Sequence, residues 1–264
     1  MAGFFGTEQQ MALQAAAEKA RDWMLNTPGA CDPGRFLGTD NPDLLGWDTL
    51  FDILKRDGVF GFRLIPSEET ETIAQRLQEK NCKIDFWDVF VATREEAVPA
   101  STGILAAGLP AGYRYCPEFK DAESADMVAL QSFMAEQGIA PFSGTRLAGL
   151  EGPVVTVAIV DESNTIAAAA HSYFPYNQYS PYKKWVWGGL VAVSPRHRGM
   201  GLGKFVNAKM VSECFARLDA DCIHELVAAS NMPSRKMVEA SGLRLEPALK
   251  CGIAMVGGNG RFTS

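Results

Sequence analysis

The chain lacks most of the features that settle a protein's class at a glance. It has no Cys-x-x-Cys, and its six cysteines (Cys31, Cys82, Cys116, Cys214, Cys222 and Cys251) are scattered over 264 residues. A chain of that size needs no covalent staples, so these read as free, mostly buried thiols in a reducing compartment. Only three histidines occur, too dispersed for a zinc site, and no metal is expected. The net charge is -6 and no long basic tract exists, which argues against nucleic acid as a partner. No basic segment followed by an apolar core opens the sequence, so no signal peptide is visible. No apolar run reaches the length of a membrane span. The expectation is a soluble cytoplasmic protein without a membrane partner. Apolar residues at 47% and charged residues at 21% supply a sizeable core for one large domain or two modest ones.

Residues 1–110 read as an α/β region of their own. Thr7, with Gln10 three places on, forms a capping box for a helix reaching about Leu25. Residues 26–46, rich in Pro, Gly, Asp and Asn, read as a loop, either mobile or part of a binding surface. A short helix over 47–55, a strand over 59–65, a helix opened by Pro66-Ser67 and a strand over 84–92 follow. This β-α-β-like unit has no Gly-rich turn and no evident ligand groups. The stretch 93–112 contains Pro99, Gly103, Gly108 and Pro110, and the domain boundary is placed there, near 110.

Residues 111–264 begin with a short strand over 113–119 and a helix over 121–137, capped by Asp121 and stopped by Gly138. A loop over 138–152 leads into a nearly all-apolar, hence central, strand over 154–160. A turn at 161–164, a strand over 165–174, a loop and a strand over 185–193 continue the meander. A strand over 222–229, a helix behind Pro233 ended by Gly242, and closing strands over 243–249 and 252–256 complete it. The tail 257–264 reads as disordered.

The stretch 185–204 is the most informative. A strand rich in aromatic and β-branched residues stops at Pro195. Arg198, Gly199, Gly201 and Gly203 follow, and then a helical pattern through Phe205, Val206, Met210 and Val211. Strand, Gly-rich turn and helix make an anion site, because the free N–H groups of a first helical turn point into space that glycine leaves open. The glycine spacing excludes the dinucleotide fingerprint Gly-x-Gly-x-x-Gly. Only three residues separate Gly199 from Gly203, and Phe205 follows Lys204, which excludes the nucleotide-triphosphate loop. No Asp or Glu lies between Ser163 and Ser212, while Lys183, Lys184, Arg196, Arg198, Lys204 and Lys209 do. A basic segment in an acidic chain suits a multiply charged anion.

Arg198-Gly199-Met200-Gly201-Leu202-Gly203, set between strand and helix, resembles the acyl-CoA loop of the GCN5-related N-acetyltransferase (GNAT) superfamily. Asn231 and the helix up to Gly242 resemble that family's second signature, and the likeness covers about 113–256. The resemblance implies the acyl-CoA N-acyltransferase fold: mixed α/β, with a mostly antiparallel central sheet flanked by helices, here with an additional N-terminal α/β region. Residues 1–110 would then be a degenerate acetyltransferase-like half or a separate module. It further implies acetyl-CoA, or another acyl-CoA, as cofactor. The strand residues Leu190, Val191, Ala192 and Val193 would hold its pantetheine arm, and Arg198 through Lys204 its pyrophosphate. Asn231, Ser234 and Lys236 would stand beside the arm. A fixed N–H donor on that strand would serve the developing oxyanion. The chain departs from the family at Val238, where many members carry a Tyr as general acid.

A general base must come from the residues themselves. His171 on a central strand and Glu225 inside the strand over 222–229 are the candidates, with core roles as their plainer reading. A carboxylate inside a strand needs a reason, because burial disfavours its charge. Tyr173, Tyr176, Tyr179 and Trp187 are candidates for the acceptor pocket. Gly188-Gly189 in a strand interior marks a bulge or a close approach of substrate. The activity implied is transfer of an acetyl group to a small-molecule amine or amino acid. The alternatives are transfer of a longer acyl chain, a non-catalytic acyl-CoA sensor and, last, a scaffold that kept only the fold. A homodimer is left open.

Overall fold

A computed structural model describes residues 3–257 of the chain. Thr7 caps α1 (Glu8–Lys19) as its spacing predicts: its hydroxyl accepts from the Gln10 N–H at 3.2 Å, and Gln10 Oε1 accepts from the Thr7 N–H at 3.0 Å. The helix breaks at Ala20, so the expected single helix is two, with α2 (Arg21–Asn26) following. The Pro/Gly-rich stretch after it is not all loop. It folds into β1 (Ala30–Cys31), β2 (Gly38–Thr39) and α3 (Pro42–Leu45), and Phe36, Leu37 and Thr39 are buried. Next come α4 (Trp47–Asp57), β3 (Val59–Pro66), α5 (Thr70–Gln78) and β4 (Cys82–Thr93).

The stretch in which the domain boundary is placed holds a helix, α6 (Arg94–Ala106), packed on the later helix α9 (Leu202–Arg217). A capping box starts it, with Glu96 Oε2 accepting from the Thr93 N–H at 3.1 Å, and it tolerates Pro99 inside. Tertiary packing overrides two poor helix formers here. Then follow β5 (Arg114–Tyr115), α7 (Ala125–Glu136), α8 (Gly144–Leu147), β6 (Val154–Val160), β7 (Ile166–Tyr173) and β8 (Trp185–Val193). Ser124, not Asp121, caps α7, accepting from the Met127 N–H at 3.1 Å. After α9 come β9 (Cys222–Val227), α10 (Met232–Ala240) and β10 (Arg244–Val256). The two expected closing strands are one, with a register shift between Glu246 and Lys250. The tail read as disordered lies, past Gly257, outside the described residues.

All strands join one ten-stranded sheet in the order β1-β2-β3-β10-β4-β9-β8-β7-β6-β5. Its pairs are antiparallel except β2–β3 and β8–β9. Residues on either side of 110 therefore share one sheet: β10 pairs with both β3 and β4, and β4 pairs with β9. Helix α9 covers the face that carries Val186 and Ile223, and α7 covers the face that carries Trp187, Leu190 and Ala192.

One pattern occurs twice. In β3–α5–β4 and again in β8–α9–β9, a strand runs through a leucine with positive φ, 49° at Leu64 and 51° at Leu190. Each strand leads to a 3₁₀ turn and helix (Ser67–Glu69 before α5, Pro195–His197 before α9) and then to a strand in the same direction. The halves differ between the paired strands: β8 and β9 are neighbours, whereas β10 fills the space between β3 and β4.

Candidate active site

The Gly-rich turn lies at the end of β8. Gly199 (φ +82°) and Gly201 (φ +79°) are left-handed, and Gly201 is the N-cap of α9. A side chain would strain either position. Packing demands neither glycine: a Cβ on Gly199 would meet nothing within 4 Å, and one on Gly201 only the Phe205 ring at 3.8 Å. The glycines thus shape the backbone and keep the space above the helix start open. No side chain caps α9, so its first N–H groups face that space. Arg198, Met200 and Lys204 are exposed beside it, while Leu202 is buried in the core and a Cβ on Gly203 would meet Val193 and Met237. The Tyr113 hydroxyl, 2.8 Å from His197 Nδ1, pins the turn.

Behind the turn the sheet parts. The β8–β9 register runs from Trp185↔Cys222 to Gly188↔Glu225 and stops there, although both strands continue. On the other side, the β7–β8 register shifts between Ala169 and His171, opposite Leu190. The bulge anticipated at Gly188-Gly189 therefore falls at Leu190, and the glycines serve close packing. A Cβ on Gly189 would collide with the Trp187 indole at 2.2 Å. The parted strands open a cleft of about 640 Å³. On the α9 side it is lined by Val191, Glu225, Asn231, Ser234, Met237 and Val238; on the α7 side by Arg35, Trp87, Ile139, Leu190, Ile253 and Met255. Asn231 also caps α10, accepting from the Ser234 N–H at 3.1 Å. Lys236 is exposed on the same helix, and Ala192 and Val193 continue β8 beyond the cleft.

Glu225 stands where the strands part. It is 3% exposed, on the α9 side, with Oε1 lacking a hydrogen-bond partner. Burial pushes its carboxyl up to about 7, and a hydrogen bond from Asn207 opposes the rise. His171 is fully buried and does not line the cleft. Thr156 donates its one hydroxyl proton to the Leu147 carbonyl at 2.7 Å, so His171 Nδ1–H must donate to Thr156 Oγ1 at 2.8 Å. Burial, reinforced by Arg146, pulls its pKa down to about 3. The structure thus sets one of the two proposed bases at the cleft and the other in the core.

Of the four aromatic candidates, Trp187 lines the cleft. Tyr173 and Tyr176 are buried behind it, with their hydroxyls engaged: Tyr173 donates to the Asp32 carbonyl at 2.7 Å, and Tyr176 meets His224 Nε2 at 3.0 Å. Tyr179 is half exposed. The loop between β7 and β8, which carries Tyr176 and Tyr179, is a brace to the N-terminal region. Asn177 Nδ2 reaches the carbonyls of Met24, Thr27 and Ala30 at 2.8, 2.8 and 2.9 Å. Arg35 escaped sequence reasoning. It sits in the Pro/Gly-rich stretch, where no periodicity points to the cleft, and only its position in the folded chain shows its place there.

A sheet parted beside a bulged strand, with a Gly-rich helix start at its end, defines the acyl-CoA N-acyltransferase fold. Residues 123–243 match the sequence model of the acetyltransferase (GNAT) family. Solved structures agree on the fold. A GCN5-related N-acetyltransferase from Kribbella flavida superposes with TM-score 0.58 at 13% identity, covering 94% of this chain and 96% of its own. A Drosophila protein gives 0.58 at 14% identity, covering 95% and 90%. A tandem GNAT protein from the clavulanic acid biosynthesis pathway gives 0.54 at 14% identity, covering 85% and 76%. No curated protein matches the chain by sequence. Among the described residues no helix is long and apolar enough to cross a membrane.

Proposed function

We propose that the protein is an acyl-CoA-dependent N-acyltransferase that passes acetyl from acetyl-CoA to the amine of a small molecule or amino acid, with both substrates bound together. The observation that carries this reading is the position of Glu225, a buried carboxylate with an unpartnered oxygen at the point where β8 and β9 separate. The open N–H groups at the start of α9, with Arg198 and Lys204, suit the pyrophosphate, and exposed Lys236 suits a further phosphate. The parted backbone of Leu190–Val193 offers donors and acceptors to the pantetheine arm, as an added strand would. Asn231 and Ser234 line the same passage.

The bulge at Leu190 turns backbone N–H groups out of the β7 ladder, where they can donate to the thioester oxygen as charge develops on it. Glu225 takes the proton that the amine sheds, directly or through one water, as the new C–N bond forms and the C–S bond breaks. The leaving thiolate takes its proton from water or from the Ser234 hydroxyl, since Val238 has none to give. A carboxyl with pKa about 7 is matched to accepting a proton near neutrality. Residues 1–110 act as a degenerate acetyltransferase-like half that walls the acceptor side through Arg35, Trp87 and the brace to Asn177. All six cysteines are free, which suits a reducing cytoplasm.

A panel of amines and amino acids assayed by thiol release from acetyl-CoA tests the reading, with calorimetry for acyl-CoA binding. Binding with no release from any amine would favour a second reading, an acyl-CoA sensor, for which Val238 at the usual acid position speaks.

A further inference from the structure

Resting on the acyltransferase reading above, we infer that the acceptor is an amine with an apolar body and a hydrogen-bond-accepting oxygen a few bonds from its nitrogen, and that the indole N–H of Trp187 receives that oxygen. Trp187 is 8% exposed and lines the cleft, and its Nε1 has no hydrogen-bond partner. A buried indole N–H ordinarily finds an acceptor. That of Trp47 does, donating to Asp43 Oδ1 at 2.7 Å. The Trp187 ring is held in place from three sides. The Tyr173 and Phe142 rings stand at centroid distances of 5.5 and 5.8 Å, and the indole lies across Gly189, where a Cβ would strike it. Cε2, the ring atom bonded to Nε1, would be 2.9 Å from that Cβ, and Gly189 itself lines the cleft. The N–H edge of the ring thus runs along a cleft-lining residue.

Two unpartnered polar atoms of opposite kind therefore belong to the cleft's lining: the donor Trp187 Nε1 and the acceptor Glu225 Oε1. Trp187 is one residue before Gly188, the register partner of Glu225, so the two side chains flank the parting of β8 and β9 from opposite faces. An amine whose nitrogen meets Glu225 can set an oxygen a few bonds away against the indole. The wall around Trp187 is formed by Trp87, Ile139, Leu190, Ile253 and Met255, which suits an aromatic or aliphatic body. Arg35, on the same wall, lies 5.1 Å from the Phe142 ring centroid and donates to the Ala140 carbonyl. An amino sugar or a polyamine would set hydroxyls or charge against this wall, and a bare alkylamine would leave the indole N–H unanswered.

The test uses the full chain with indole-¹⁵N tryptophan, which gives one N–H signal from each of the five tryptophans. With free CoA bound, phenylalaninol, phenylalaninamide and phenylalanine are titrated against phenethylamine, which lacks the oxygen; the three separate hydroxyl, carbonyl and carboxylate. The Trp187 signal, assigned by its loss in Trp187→Phe, is expected to move downfield with an oxygen-bearing amine and to stay with phenethylamine. In the thiol-release assay the best oxygen-bearing amine should exceed phenethylamine in kcat/KM at least about tenfold. Glycinamide, with the oxygen and no apolar body, should fall at least about tenfold below phenylalaninamide. Trp187→Phe should abolish the advantage of the oxygen. No downfield move with any oxygen-bearing amine overturns the inference, as does phenethylamine matching them in the unaltered protein. So does a Trp187→Phe protein that keeps its melting temperature, its acyl-CoA affinity and the advantage. If Trp187→Phe fails to fold, the signal is assigned by exclusion from variants of the other four tryptophans, and the unaltered protein decides. A downfield move without thiol release from any amine would sink the transfer reading and leave the oxygen site standing.

Discussion

Gly188 and Glu225 are the last register partners before β8 and β9 separate, and a Cβ on Gly188 would stand 3.1 Å from Glu225 Cγ and 2.7 Å from Met210 Cε. The glycine therefore sets where the carboxylate lies. Gly188→Ala should displace Glu225 and lower kcat at least about tenfold, with acyl-CoA affinity changed by less than about threefold. Overpacking at this site should cost about 1–3 kcal/mol of stability. Steady-state kinetics beside calorimetry check this; a variant with unchanged kcat would place the proton transfer elsewhere.

Glu225 gives a pH signature of definite sign. Its folded pKa is raised from 4.5 to about 7, so between those values the folded chain holds a proton that the unfolded chain has lost. The stability tied to this proton is present below pH 4.5 and is lost as pH rises to 7. Glu225→Gln should then raise Tm at pH 8 and change it little at pH 4. The same variant should lower kcat by about 10²–10⁴ while acyl-CoA still binds. In the unaltered protein kcat should climb with pH about a midpoint near 7. Calorimetric scans from pH 4 to 8, with rate profiles, decide both points.

His171 should behave in the opposite way. Its folded pKa is depressed from 6.5 to about 3, so the neutral ring contributes stability above 6.5 that drains away as pH falls toward 3. His171→Gln should flatten this acid limb and leave the midpoint of the rate profile in place. A variant whose rate profile shifts would return His171 to the chemistry.

One acyl-CoA should bind per chain. The counterpart of the cofactor passage in the first half, between β3 and β4, is filled by β10. The turn after β3 carries Glu68 and Glu69 where the turn after β8 carries Arg196 and Arg198. Calorimetry with acetyl-CoA should give a stoichiometry near one, and charge reversal at Glu68 and Glu69 should leave it there. A stoichiometry of two would reopen the first half as a site.

The second half was largely legible because its elements announce themselves locally. The apolar run of β6, the stop at Pro195 and the spacing of Gly199, Gly201 and Gly203 each follow from backbone rules acting over a few residues. Glu225 was legible for a different reason: a carboxylate inside an apolar strand demands an explanation. What escaped depends on distant partners. Helix α6 is hidden by Pro99 and Gly103 because its stability comes from α9, more than a hundred residues on in the sequence. His171 and Trp187 both sit on strands, and only the tertiary fold tells the core ring from the cleft wall. Arg35 gave no local signal, since nothing in its stretch predicts which cavity it meets.

The place of β10 has a consequence for how the chain is made. Strands β3 and β4 are made well before the strand that joins them, Arg244–Val256. Until it arrives, both carry unpaired edges, which invite pairing with other nascent chains. The contacts that complete the first half are among the longest in sequence separation, a feature that slows folding. The earlier-made half must wait for β10, and a ribosome stalled before residue 244 would hold a nascent chain with an open seam through its first half.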